Sequence, residues 1–92
     1  GFIENVPRML SDNLKAVIKK GTWKVLPVFE MMQKLGDITD NDMYNTFNMG
    51  IGMIVAVSAD KKDAAMKCLE DAGETAYVIG ELQDGDKTVE MI

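Results

Sequence analysis

The seven residues Ile51-Gly-Met-Ile-Val-Ala-Val57 constrain this chain most. They include no charged or hydrogen-bonding side chain, yet they fall far short of the roughly 20 residues that cross a bilayer. An apolar run of this length predicts a strand buried on both faces, with other strands beside it and further layers above and below. The residues that follow offer such neighbours. Asp60 is placed to cap a helix over 61–72, with Ala65, Cys68, Leu69 and Ala72 inward and Gly73 as its stop. Thr75-Ala-Tyr-Val-Ile-Gly-Glu-Leu82 reads as a strand, Asp84-Gly85-Asp86 as a turn, and 87–92 as a closing strand. The segment 51–82 is therefore a strand–helix–strand unit. A right-handed crossover is expected if its two strands pair in parallel.

The first half of the chain carries the same mixture. Residues 1–13 read as a loop that becomes one helical turn after Pro7. Asn13-Leu-Lys-Ala-Val-Ile-Lys19 alternates as a strand does, with Lys15, Val17 and Lys19 on one side and Leu14, Ala16 and Ile18 on the other. Pro27 opens a helix in which Val28, Met31, Met32 and Leu35 form one apolar stripe, and Gly36 is placed to end it. Thr39 can cap a second, short helix with Asp42 in its first turn, and Met43 and Phe47 share a face. Trp23 and the eight methionines are most simply core and gap filling. Together these elements predict an α+β domain: a mixed β-sheet with helices packed on one face.

Bulk properties narrow the function. A chain of 92 residues is one domain or part of one. Its net charge of -5 argues against a nucleic-acid module, which needs clustered Lys and Arg. Residues 1–36 carry six basic and three acidic groups, whereas residues 37–92 carry four basic and twelve acidic ones. An anionic ligand would sit better on the basic half, although solvated helix faces and edge strands explain the same asymmetry. Cys68 is the only cysteine, which fits a reducing compartment, most simply the cytoplasm. It reads as an inert thiol on the inward side of its helix. Histidine is absent, so the usual neutral-pH general base is missing, and no Cys/His set has zinc-ligand spacing. No signal peptide is visible, and the missing initiator Met points to a cut fragment.

Two constellations carry possible chemistry. In Glu4-Asn5-Val6-Pro7-Arg8, Glu4 could orient a metal or a hydroxyl, Asn5 could donate and accept, and Arg8 offers a planar fork for phosphate. A polar loop in which Arg8 pairs with Glu4 explains the same residues. In Phe47-Asn48-Met49-Gly50-Ile51-Gly52-Met53, two glycines allow close backbone approach or positive φ. This pair matches neither a dinucleotide fingerprint nor a Walker loop, and a helix stop leading into a strand explains it equally.

Taken in order, however, these pieces resemble a known family. Gly1-Phe-Ile-Glu-Asn-Val-Pro-Arg-Met-Leu10 is similar to the Gly-Gly-x-x-Glu-Asn-(Ile/Val)-Pro-Arg-(Val/Met)-Leu segment of the phosphoribosylformylglycinamidine cyclo-ligases, the aminoimidazole ribonucleotide synthetases. Trp23, Val28-Phe29 and Leu35-Gly36 follow in the expected order. Asp42 through Met53 resembles the family's (Glu/Asp)-Met-Tyr-x-Thr-Phe-Asn-(Met/Cys)-Gly-(Ile/Val)-Gly-Met block, and Ala72 through Gly80 its Gly-Glu-x-Ala-(Trp/Tyr)-x-Ile-Gly.

The resemblance implies the second part of the family's C-terminal domain over residues 1–92, with the N-terminal ATP-binding domain absent. For the parent it implies ATP-dependent closure of the imidazole ring: formylglycinamidine ribonucleotide becomes aminoimidazole ribonucleotide in purine biosynthesis. ATP and magnesium are implied for that parent and not for this chain alone. A homodimer with its active site between domains is implied as well. Glu4, Asn5 and Arg8 would face the cleft, and Asn48, Gly50 and Gly52 would shape its second wall. No nucleic acid or membrane partner is implied. The competing readings are a stand-alone self-associating α+β module, or another ATP-dependent member of the superfamily, such as a selenide- or thiamine-phosphate-handling kinase.

Overall fold

A computed structural model describes residues 1–92. The elements are α1 (Phe2–Asn5), a 3-10 turn (Val6–Met9), β1 (Leu14–Ile18), α2 (Pro27–Gly36), α3 (Asp40–Thr46), a 3-10 turn (Ala59–Lys61), α4 (Lys62–Asp71), β2 (Gly80–Asp84) and β3 (Val89–Met91). The three strands form a mixed sheet in the order β2-β1-β3. β1 pairs antiparallel with β2, from Leu14 opposite Asp84 to Ile18 opposite Gly80. It pairs parallel with β3, from Ala16 opposite Val89 to Ile18 opposite Met91. The expected α+β class, a mixed sheet with helices, is the observed one.

The core sits between the sheet and the N-terminal helices. Ala16 and Ile18 of β1 pack with Phe2, Val6, Leu10, Trp23, Met43, Tyr44 and Met49. The expected loop at the start is a helix. Phe2, Val6 and Leu10 recur every four residues, and all three are buried. That spacing is the signature of a helical face, here hidden behind an Asn-Val-Pro sequence that reads as a break. Gly1 shows why α1 packs where it does: a Cβ there would lie 2.5 Å from the carbonyl oxygens of Tyr44 and Asn45. α1 thus meets the last turn of α3 almost backbone to backbone.

Several local signals act as expected. Thr39 Oγ1 accepts the Asp42 amide at 3.2 Å and caps α3. After α4, Gly73 takes φ +88°, with Gly73 N–H donating to Glu70 O and Glu74 N–H to Leu69 O. That is the double bond pattern of a glycine-terminated helix.

Other expectations are corrected. Ile51–Val57 is not a strand. The segment lies outside the sheet, with Met53 81% exposed and Val55 and Val57 also open. The expected strand 75–82 is paired only from Gly80 onward, so the 51–82 strand–helix–strand unit does not form. The parallel partner of β1 is instead β3. The physical reason is missing neighbours: an apolar run is stable as a doubly buried strand only when other chain covers it.

α4 suffers in turn, because no strand lies beneath it and it packs chiefly on its own leading turn. Ala65 and Leu69 are partly buried, but Cys68 and Ala72 face solvent, so Cys68 is not the inward thiol expected. Asp60 does not cap α4. It lies within the 3-10 turn that Ser58 opens and that leads directly into the helix.

On α2 the stripe Val28, Met31 and Leu35 is exposed, while Phe29 and Met32 turn inward. The left-handed residue that ends α2 is Asp37, φ 51°, and not Gly36. At Gly36 a Cβ would come within 3.0 Å of the Ile38 side chain, a close contact that a small shift of that side chain relieves.

Candidate functional site

The two constellations face each other across one cleft of about 310 Å³. One wall is α1 and the turn after it, through Gly1, Phe2, Asn5, Val6 and Met9. The other is the stretch after α3, through Asn48, Ile51, Gly52, Met53 and Ile54. Of the six residues picked out by sequence, the fold brings Asn5, Asn48 and Gly52 to the cleft, while Glu4, Arg8 and Gly50 stand off it.

Each absence has a structural cause. Glu4 turns to α3, where its Oε1 accepts from Asn45 Nδ2 at 3.4 Å. It does not pair with Arg8, which is exposed and makes no ion pair. Gly50 is set behind the wall, its α-carbon facing Leu26 and the Lys24 carbonyl.

The second wall is a tight turn with its own logic. Met49 and Gly50 both have positive φ, 53° and 94°, and Ile51 N–H donates to Asn48 O at 3.0 Å. Two successive positive φ values with an i to i+3 bond are those of a mirror-image β-turn, which favours glycine. Asn48 reinforces it, its Oδ1 accepting the Gly50 amide at 2.9 Å. On the facing wall, Asn5 Nδ2 donates to Gly1 O at 2.8 Å. Each asparagine therefore spends one side-chain atom on holding its own backbone. Asn5 keeps its Oδ1 as an acceptor, and Asn48 keeps its Nδ2 as a donor.

No carboxylate, lysine, arginine or thiol side chain lines the cleft. The site can bind and orient a ligand through apolar contact and two amides, but its lining side chains offer no general acid or base. No three His, Cys, Asp or Glu side chains converge anywhere to hold a metal ion.

The one cluster with perturbed acidity lies elsewhere. Asp40 is held below its ordinary value of 3.8 by the Gln33 amide, which donates to it at 2.7 Å, and by Lys20 at 3.5 Å. Burial pushes the Tyr44 phenol above 10.0, and the nearby Asp40 charge adds to this.

Sequence reasoning missed Gly1, Phe2, Val6 and Met9 on the first wall of the cleft, and Ile51, Met53 and Ile54 on the second. The signal was present in the spacing of Phe2, Val6 and Met9, which places them on one side of a helix. It went unread because the segment reads as a loop.

The profile of the family described as AIR synthase related protein, C-terminal domain, matches residues 1–92. The chain therefore belongs to the AIR synthase related proteins, as C-terminal domain sequence. It is 51% identical over 89 residues to the phosphoribosylformylglycinamidine cyclo-ligase of Lachnoclostridium phytofermentans, covering 97% of this chain and 26% of that protein. It is 54% identical over 82 residues to the protein of the same name from Bifidobacterium longum subsp. infantis, covering 89% of this chain and 24% of that one. A third cyclo-ligase, from Lachnospira eligens, is 52% identical over 91 residues, covering 99% and 27%. The chain spans about a quarter of the length of these curated relatives.

Proposed function

We propose that this chain is the second part of the C-terminal domain of a phosphoribosylformylglycinamidine cyclo-ligase and supplies one side of that enzyme's active-site cleft. In this reading the parent uses ATP to convert formylglycinamidine ribonucleotide to aminoimidazole ribonucleotide in purine biosynthesis. The observation that carries it is 51% identity across 97% of the chain to a protein of that name. The cleft supports it, since Asn5 and Asn48 come from separate constellations and meet on one cavity.

Roles follow from the geometry. Asn5 Oδ1 and Asn48 Nδ2 form an acceptor and donor pair suited to orienting a planar amide or amidine. Gly52 leaves the wall open, because nothing lies within 4 Å of where its Cβ would be. Gly50 shapes the turn, Glu4 ties α1 to α3, and Arg8, free of any acidic partner, is available to a phosphate. In this reading ATP and its magnesium are held by the remainder of the parent. In this reading the parent works as a cytoplasmic homodimer. No helix here is long and apolar enough to cross a membrane.

The test is an assay of the full-length parent for ADP formed from ATP only when the amidine substrate is present. The parent turns over. The 92 residues alone do not. Asn48→Ala in the parent lowers kcat/KM by about tenfold or more, the scale of one lost orienting hydrogen bond. A parent with no amidine-dependent ADP release would remove this reading.

A further inference from the structure

Trp23 is buried, 5% exposed, and lines no part of the cleft. Yet it touches both walls. Its ring stacks on Phe2 of the first wall, with centroids 5.4 Å apart and planes inclined by 27°. Its indole Nε1–H donates to the carbonyl oxygen of Met49, in the turn of the second wall, at 3.1 Å. Tyr44 meets the same ring edge-on at 6.5 Å and closes the aromatic group from behind.

The hydrogen bond falls where the backbone most needs it. Met49 is a long side chain at φ 53°, a conformation that persists only where the surroundings enforce it. Met49 is itself buried, so its carbonyl depends on an internal partner, and Trp23 provides one. Asn48 enters the cleft one residue earlier, and Ile51 and Gly52 follow on the other side of the turn. Phe2 lies three residues before Asn5 on the opposite wall. One rigid indole therefore fixes both the spacing of the walls and the pitch of the turn that presents Asn48.

We propose that Trp23 is the positioning residue of this site: it acts on bound substrate through Phe2 and Met49 and sets the separation of Asn5 from Asn48. The inference rests on the cleft being the substrate site of the cyclo-ligase reading above. A residue that only stabilised the core would change stability and leave substrate affinity alone. A positioning residue changes the apparent affinity of a correctly folded enzyme.

The experiment uses the full-length parent. Trp23→Phe keeps an aromatic ring on Phe2 and removes the N–H donor. The expected result is a KM for the amidine substrate raised about tenfold, with kcat within about threefold, as lost ground-state positioning requires. Amide hydrogen exchange at Gly50 and Ile51 speeds up by a similar factor. Val17→Ala, a change at a buried residue outside the cluster that holds the aromatic group, lowers the unfolding midpoint but leaves KM and those exchange rates unchanged. If Trp23→Phe does not fold, replacing the indole by benzothiophene keeps the bicyclic shape and removes only the donor. Unchanged KM and unchanged exchange in a folded, donor-free variant overturn the proposal. A wild-type parent without cyclo-ligase activity overturns the functional reading instead, and the exchange measurement still decides whether Trp23 holds the turn.

Discussion

Single residues carry this small core. Met43 is the one large side chain with no exposed surface, and it sits among Phe2, Trp23 and Tyr44. Met43→Ala should cost about 2–5 kcal/mol, the range for deleting a buried methionine side chain and leaving a cavity. Chemical denaturation would show it as a lower midpoint with an unchanged slope.

Asp40 and Tyr44 set the response to pH. The folded carboxyl of Asp40 lies below 3.8, so the folded state favours its charged form. Its stabilising effect is full above that ordinary value and is lost as pH falls through the lower, folded one. The group is largely exposed, so the effect is well under about 1 kcal/mol. The Tyr44 phenol is shifted upward from 10.0, so its effect has the opposite sense: it is present below pH 10 and lost as pH rises through the raised value. Midpoints measured against pH should therefore fall at both ends. Asp40→Asn should flatten the acid limb below about pH 4, and Tyr44→Phe the alkaline limb above about pH 10. An acid limb unaltered in Asp40→Asn would show that the Gln33–Asp40–Lys20 contacts do not act in solution.

Among the elements, β1 does most of the organising. Ala16 and Ile18 face the helices, and both edges of β1 are paired. The β1–β2 pairing leaves no room at its end. A Cβ on Gly80 would collide with the Val17 carbonyl. The obstacle is backbone and not a pliable side chain, so Gly80→Ala should cost about 1–3 kcal/mol. The loss should appear first as faster amide exchange across residues 14–18, because β2 is exposed along its whole length and has no packing to retain it. Exchange unchanged in that variant would mean that the pairing shifts to accommodate the methyl group.

At the scale of the whole molecule, the structure is open. Its radius of gyration is 14.0 Å, against the ~12 Å expected of a compact domain this long, and one dimension is only 18 Å. Only ten residues are buried. Among the uncovered apolar groups, Met53, Val55 and Val57 alternate along the segment that the sequence marks as a doubly buried strand, and Leu35 of α2 is 82% exposed. An extended apolar segment with unpaired backbone seeks a partner strand. The isolated chain should therefore self-associate through residues 51–57. Sedimentation at micromolar concentration should give dimers or larger species for the wild type and a shift toward monomer for Val55→Asp. A wild-type chain that stays monomeric would count against this edge being sticky.

By itself, the sequence determined the features that depend on near neighbours. The β1 alternation, the Thr39 cap, the Gly73 helix stop and the closing strand at 89–91 are set by backbone preference and local hydrogen bonds, which act over a few residues. The ordered run of motifs also carried the family, because that likeness is itself a property of sequence. Only the tertiary structure decided the rest. It made residues 2–9 helical, since Gly1 can approach α3 so closely, and turned Glu4 away from Arg8 toward Asn45. It joined Asn5 to Asn48 across 43 positions of chain and placed Trp23 behind both. It also left Ile51–Val57 unpaired. Hydrophobicity says that such a segment gains by burial, but burial needs a second surface, and whether one is present depends on the rest of the molecule.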